Sequence, residues 1–261
     1  MTHPAYGQRR AVTPFASVLL ATNPGPMTLD GTNTWLIGAG PHRAVLDPGP
    51  GGEHLERILT HGPVSLILLS HHHEDHTEGA AELAERTGAP VRALDPALCS
   101  GAEPLVDGEV LDAAGVRLTV LATPGHTRDS VCLRAEHGGV SAVFTGDTVL
   151  GRGTTVVAHP DGHLGSYLGS LRALAELGAG VLALPGHGPE LPDVAAAAAG
   201  YLEHREQRLG QIRAVLRERG SGISAREIVE IVYAEVDPAV WPAAEWSVRA
   251  QLAHLEELGE R

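Results

Sequence analysis

Four histidines and two carboxylates stand within the seven residues Ser70-His71-His72-His73-Glu74-Asp75-His76, directly after the apolar run Val64-Ser65-Leu66-Ile67-Leu68-Leu69. A hydrophobic core does not accept that composition, because buried charge must be paired or bound to metal. The segment therefore reads as a loop at the end of a strand, with side chains that bind something, and metal is the first reading. By position it is His-x-His-x-Asp-His, with His71, His73, Asp75 and His76 at the fixed places. In an extended chain His71 and His73 point to one side, while Asp75 and His76 can turn toward a second point just beyond. One short loop can serve two adjacent cations.

Composition narrows the chemistry further. All nineteen basic residues are Arg and none is Lys, which excludes a Lys Schiff base and a phosphate loop ending in Gly-Lys-Ser/Thr. A formal net charge of -13 argues against gripping a polyanion through broad positive surface, though not against cutting one at a localised site. Cys99 and Cys132 lack any Cys-x-x-Cys spacing, so neither a disulfide framework nor a thiolate zinc site is indicated, and a reducing cytoplasm is the expected location. The apolar residues after Arg9-Arg10 read as an opening strand and not as a secretory leader, since Pro14 interrupts them and Ala21-Thr22-Asn23-Pro24 is a poor cleavage region. No apolar run approaches the roughly 18 residues of a membrane span, so no membrane partner is expected.

Along the chain, short strands (34–38, 44–47, 64–69, 91–94, 116–121, 131–134, 140–144 and 181–184) alternate with helices at 53–61, 80–87 and 166–177. The strands are too many for a simple doubly wound sheet, and two sheets with helices outside is the better expectation. From Asp193 the composition shifts to helix formers. Asp193 caps a helix running to about Arg219, Gly220-Ser221-Gly222 ends it, and Ser224-Ala225-Arg226-Glu227 is a capping box opening another. A last helix, 243–258, is expected to bury Trp246, Leu252 and Leu255. Residues 1–200 are thus read as the catalytic domain and 201–261 as a small helical domain.

Four apolar runs end in a candidate ligand: His71, then His126 in Pro124-Gly125-His126, Asp147 in Thr145-Gly146-Asp147, and His187 in Pro185-Gly186-His187. Strand ends gathered on one edge of a sandwich would bring these loops together, and imidazole with carboxylate suits zinc, iron or manganese. Asp47, ending its own strand, stands between a ligand-orienting role and a plain turn. His72 falls on an x position and is expected to face away from the metals. Isolated histidines such as His54 read as hydrogen-bonded core or surface residues, and His159 and His163 as surface loop.

The series His71-x-His73-x-Asp75-His76, His126, Asp147, His187 resembles the metallo-β-lactamase superfamily, over nearly the whole chain to residue 200. That resemblance implies an α/β fold, the αββα four-layer sandwich, holding two zinc ions, with iron or manganese as alternatives. It implies His71, His73 and His126 on one metal, Asp75, His76 and His187 on the other, and Asp147 bridging. Within the superfamily the chain resembles the β-lactamase-like protein 2 branch, which contains a mitochondrial endoribonuclease. The matching segments are Asn23-Pro24-Gly25-Pro26-Met27-Thr28, Gly31-Thr32-Asn33-Thr34, Thr123-Pro124-Gly125-His126-Thr127, Gly151-x-Gly153-Thr154-Thr155 and His204-Arg205. A C-terminal winged-helix-like domain at 201–261 is implied, with Asn33 and His204 as candidate substrate contacts.

The expected activity is hydrolysis by a metal-bridging hydroxide, with Asp75 as the catalytic residue that orients it. Single-stranded RNA is the first candidate substrate. Against it stand Arg128 and Ser130, where the endoribonuclease would carry more acidic or histidine-bearing sequence, and eight Arg against eleven acidic residues from Tyr201 onward. Arg205, Arg208, Arg213, Arg217 and Arg219 would form a basic stripe or a solvated helix face. The alternative is a thioesterase or small-ester hydrolase of glyoxalase II-like chemistry, although that enzyme's glutathione-gripping lysine cannot exist here. A rival of another class is a metal-binding or di-iron redox protein that hydrolyses nothing. The oligomeric state is left open.

Overall fold

The computed structural model describes residues 3–157 and 159–261. Its first sheet holds β1 (Arg9–Thr13), β2 (Ala16–Leu20), β3 (Asn33–Ile37), β4 (Arg43–Leu46), β5 (Val64–Leu68) and β6 (Val91–Arg92), in that order. The pairs from β1 to β4 are antiparallel, whereas β4, β5 and β6 run parallel. The second sheet, in the order β11-β10-β9-β8-β7, comprises β7 (Val110–Ala113), β8 (Val116–Ala122), β9 (Val131–His137), β10 (Val140–Gly146) and β11 (Leu182–Pro185).

The single opening strand expected from sequence is a hairpin. Pro14 lacks the N–H that a continuing ladder needs, and the Thr13 hydroxyl oxygen accepts from the backbone N–H groups of Phe15 (3.2 Å) and Ala16 (2.9 Å), closing the turn.

Period-two alternation stacks the layers. Ala44 and Leu46 of β4, Leu66 and Leu68 of β5, and Ala142 and Phe144 of β10 meet between the sheets around Trp35. Val45 and Ile67 point the other way, onto Leu55 and Ile58 of α1 (Glu53–Leu59) and Leu83 of α3 (Ala80–Thr87). Val143 turns outward on the second sheet. There it joins Leu168 and Leu171 of α4 (Leu164–Ala175), Leu209 and Ile212 of α5 (Val194–Arg219), Ile228 of α6 (Ala225–Val232) and Val248 and Leu255 of α7 (Trp241–Glu257). The result is the αββα sandwich, with a helical C-terminal segment on the same outer core as α4. The end signals hold: Asp193 caps α5 through the Ala196 N–H, Gly220 follows its last residue, and Ser224 with Glu227 forms the capping box of α6.

Trp246 corrects an expectation. It is 48% exposed, whereas Val248, Leu252 and Leu255 are buried. Two positions along a helix is about 200° of rotation, which turns residue 246 away from the face that carries 248, 252 and 255.

Strand direction places the site. β8 and β10 each run antiparallel to β9 between them, so they share a direction, and β11 is parallel to β10. Their C-terminal ends therefore lie on one edge of the second sheet. β4 and β5 do the same in the first sheet, and β5 leads through Ser70 into α2 (Glu74–Thr77).

Candidate metal centre

All seven predicted ligands converge on this edge. His71 Nε2 lies 3.0 Å from His73 Nδ1, and His126 Nε2 lies 3.1 Å from the same atom. A second group forms beside it, where His187 Nε2 is 3.2 Å from His76 Nε2 and 3.2 Å from Asp75 Oδ2. Asp147 lies between the groups. Its Oδ2 is 3.3 Å from His187 Nε2 and 3.8 Å from His126 Nε2, and its Oδ1 is 3.5 Å from His76 Nε2.

Outward partners fix which nitrogens face in. His126 Nδ1 donates to the Val156 carbonyl (2.5 Å), His187 Nδ1 to the Gly31 carbonyl (3.1 Å) and His76 Nδ1 to Asp47 Oδ2 (2.9 Å). The Ser70 hydroxyl donates to Asp47 Oδ2 (2.7 Å) and so accepts from His71 Nδ1 (2.9 Å). Each of these rings, when neutral, turns an unprotonated Nε2 inward, the arrangement that outer partners impose on metal-binding imidazoles.

Burial, with smaller contributions from neighbouring histidines, holds His71 well below the usual imidazole range and His73 at about 4. Burial also lowers His126. Three neutral rings then face one another, and a single proton on His73 cannot satisfy both neighbours. In the second group burial pulls the other way from the carboxylates. Burial would raise Asp75, but hydrogen bonding to His187 together with the charges of His76 and His187 outweighs it and brings Asp75 to about 2. His187, against its burial, is raised to about 11 chiefly by Asp147. The Asp147 carboxyl is buried, and its Oδ1 has no hydrogen-bond partner among the described residues. That orphaned oxygen, with converging lone pairs on both sides, is what a pair of divalent cations would satisfy, so the donor set fits metal.

Local sequence explains the closeness. A Cβ on Gly186 would stand 2.5 Å from Asp147 Oδ1 and 2.8 Å from His76 Cε1, so only glycine lets the His187 turn approach. Gly125, at φ +142°, carries the chain past Tyr167 at a distance that no side chain allows.

Several assignments gain detail. Asp47, undecided from sequence, orients His76 directly and His71 through Ser70. Asn33, expected to touch substrate, is buried, and its amide Nδ2 donates to the carbonyls of Pro185 (3.0 Å) and Gly188 (2.8 Å), bracing the His187 turn. His72 does face away, with Nδ1 2.7 Å from Asp129. His54 is buried, with Nε2 2.8 Å from the Thr34 hydroxyl. His204 lines a cavity of about 380 Å³ that opens onto His126 and Asp147. Ser70 and Thr32, whose hydroxyl donates to Asp75 Oδ2 at 3.1 Å, escaped sequence reasoning. Ser70 is signalled only by adjoining His71, and Thr32 only by falling in the segment Gly31-Thr32-Asn33-Thr34.

An αββα sandwich that gathers two histidine and carboxylate groups at the ends of its strands is an architecture suited to holding metal. The chain belongs to the metallo-β-lactamase superfamily, whose family model matches residues 27–187. A second model, the β-lactamase-associated winged helix domain, matches residues 224–260. Members of the superfamily bind metal ions and are generally hydrolases. The chain is 33% identical over 264 residues to the β-lactamase-like protein 2 homolog of Drosophila melanogaster, covering 93% of this chain and 88% of that one. It is 33% identical over 241 residues to the atrochrysone carboxyl ACP thioesterase of Aspergillus chevalieri, covering 86% and 75%. A solved metallo-β-lactamase family protein of Thermus thermophilus superposes with a TM-score of 0.78 at 26% identity, covering 95% of each chain. Among the described residues no helix is long and apolar enough to cross a membrane.

Proposed function

We propose that this chain hydrolyses an acyl thioester, or a related small ester, with a largely apolar acyl part. The observation that carries the reading is the cavity at the metal centre. Besides His126 and Asp147, its wall includes Met27, Leu29, Leu150, Val236 and Val240. Such a wall suits an apolar body with a few fixed polar contacts. RNA asks for several stacked aromatic faces and a positive groove along its backbone, whereas the one tyrosine ring in this wall, Tyr233, is already covered by Arg208. A net charge of -13 and the similarity to a named thioesterase support the same choice over single-stranded RNA.

Two divalent cations, zinc in the first instance, would be held by His71, His73 and His126 and by Asp75, His76 and His187, with Asp147 shared. When bound they supply Lewis acidity toward the carbonyl oxygen and lower the pKa of water toward neutrality. The protein's own groups do the rest. Asp75, partly exposed and held ionised, accepts a hydrogen bond from the attacking water and orients it. Thr32 fixes that carboxylate from behind. The apolar wall excludes bulk water and aligns the acyl chain. Water oxygen bonds to the carbonyl carbon, the C–S bond breaks, the protons of the water pass to solvent by way of Asp75, and the products are a carboxylate and a thiolate, the latter stable enough near neutrality to need little help from a general acid.

The test sets octanoyl N-acetylcysteamine thioester beside end-labelled single-stranded RNA, each with the zinc-loaded chain and with Asp147→Asn. Thioester turnover that requires metal and is lost in the variant, with circular dichroism unchanged, is expected. RNA cleavage with the thioester left intact would reverse the assignment.

A further inference from the structure

The cavity has a second kind of wall. Arg205 and Arg208 of α5 line it beside His204. Arg205 is 3% exposed, donates from its guanidinium to the Thr155 carbonyl and lies 5.3 Å from the centre of the Tyr167 ring. Its Nε is buried without a hydrogen-bond partner among the described residues. Arg208 is half-buried, sits 4.5 Å over the Tyr233 ring and donates to the Val232 carbonyl (2.9 Å) and to Gln211 Oε1 (3.0 Å).

No carboxylate pairs with either guanidinium among the described residues. Their neighbours differ in this respect. Arg152, on the same cavity wall, is paired with Asp30 at 2.5 Å, and Arg213, further along α5, with Glu260 at 2.5 Å. Other arginines that form no ion pair among the described residues, such as Arg117, Arg172 and Arg217, are exposed, so what sets Arg205 and Arg208 apart is that both are held in the cavity wall. The carbonyl and ring contacts compensate part of the hydration such a guanidinium gives up, and an anion that reaches it supplies the rest.

We propose that Arg205 and Arg208 form an anion subsite that receives a carboxylate or phosphate of the substrate while the apolar body fills the cavity between them and Asp147. Arg208, partly exposed, makes the contact. Arg205 sets a positive field from within the wall, where the low dielectric strengthens it. The substrate is thus an amphipathic thioester with its reactive carbonyl at one end of the cavity and a negative charge at the other. The charge comes either from the far end of the acyl chain or from the thiol half. This inference rests on the thioester reading for its reaction, though not for its anion.

The experiment measures, with the zinc-loaded full chain, the ratio of kcat/KM for the anionic over the neutral member of two matched pairs. One pair is the N-acetylcysteamine thioesters of octanedioate and octanoate, which differ by a terminal carboxylate. The other is octanoyl phosphopantetheine and octanoyl pantetheine, which differ by a phosphate. Wild type is expected to prefer the anionic member of one pair by roughly tenfold or more, the scale of one charge-assisted contact, and the pair that responds names the source. In Arg208→Gln that ratio is expected to fall toward one. Because the ratio is taken within each protein, general damage to the variant does not imitate the result. A wild-type ratio near one in both pairs, or an undiminished ratio in Arg208→Gln, overturns the subsite. If no thioester is turned over, the proposed reaction is wrong, and calorimetry decides the subsite separately. Tighter wild-type binding of the octanedioate thioester than of the neutral octanoate thioester, or of octanoyl phosphopantetheine than of octanoyl pantetheine, that Arg208→Gln lacks sustains the anion site, and equal affinities within both pairs remove it.

Discussion

Asp47 sits at φ +53°, a backbone region that Asp and Asn tolerate better than other residues bearing a Cβ. The strain is offset by what the carboxylate does there. Oδ1 accepts from the Ser70 N–H (2.7 Å), and Oδ2 accepts from the Ser70 hydroxyl and His76 Nδ1. One carboxylate thereby steers a ligand in each metal group. Asp47→Asn keeps the size and the tolerance for positive φ but puts an N–H₂ group where an acceptor is required, facing one or more donors. Affinity for zinc, titrated against a competing chelator, is expected to fall by about 10- to 100-fold while the melting profile keeps its cooperativity. Undiminished affinity would mean that the ligands find their orientation without Asp47. The convergence of the seven candidate ligands was legible because their spacing and their positions after apolar runs agree. Asp47 was half legible, as a carboxylate closing a strand. Ser70 and the bracing role of Asn33 were not, since a hydroxyl or amide beside a motif carries no periodicity and its partner, such as the Gly188 carbonyl, lies far along the chain.

At the scale of elements, strands reveal themselves by alternation and helices by their caps, and failures occur where a local signal has two outcomes. Pro14 could end a strand or turn a hairpin, and the choice depends on β3 being there to pair with β2. Helix α1 shows what sequence hides. His54, on the helix face turned to the first sheet, is buried, and its desolvation, with the nearby Arg57 charge adding, lowers the imidazole to about 4. The folded chain therefore binds this proton less readily than the unfolded chain does. Between pH 6.5 and about 4 the unfolded state carries the extra proton, so stability falls as pH falls through that window and levels off below it. The full effect is about 3 kcal/mol as an order of magnitude. Replacing His54 by Gln, which retains a polar partner for the Thr34 hydroxyl, should flatten the pH dependence of unfolding by urea between pH 7 and 4. Parallel curves for wild type and variant would show that the site opens to solvent without cost.

For the whole molecule, composition separates helix formers after Asp193 from the mixed sequence before it, yet packing joins the two. Helix α5 runs unbroken from Val194 to Arg219. Its first half lies on α4, and its second half buries Leu209, Ile212 and Val215 in the core shared with Ile228, Val248 and Leu255. Polar ties run alongside. The Tyr201 hydroxyl donates to the Gly153 carbonyl (2.9 Å), and His163, which caps α4, meets Glu257 of α7 at 2.9 Å. The basic stripe considered along α5 does not form, because Arg205 and Arg208 turn into the cavity wall and Arg213 is paired with Glu260. A charge pattern on one helix cannot tell which of its faces a later helix will cover. With an apolar core common to both parts, separate unfolding would expose the α5 face and the outer side of the second sheet to water, at a cost proportional to the area bared. The chain should accordingly unfold as one cooperative unit. Trp35 lies between the sheets, whereas Trp241 and Trp246 lie in α7, so variants retaining only Trp35 or only the α7 pair report on the two parts separately. Their fluorescence transitions in urea are expected to share one midpoint and one slope after correction for each variant's stability by circular dichroism. Loss of the α7 signal at clearly lower urea would mean that the C-terminal helices are an independent body resting on the sandwich, and that the wall holding Arg205 and Arg208 could open without the rest.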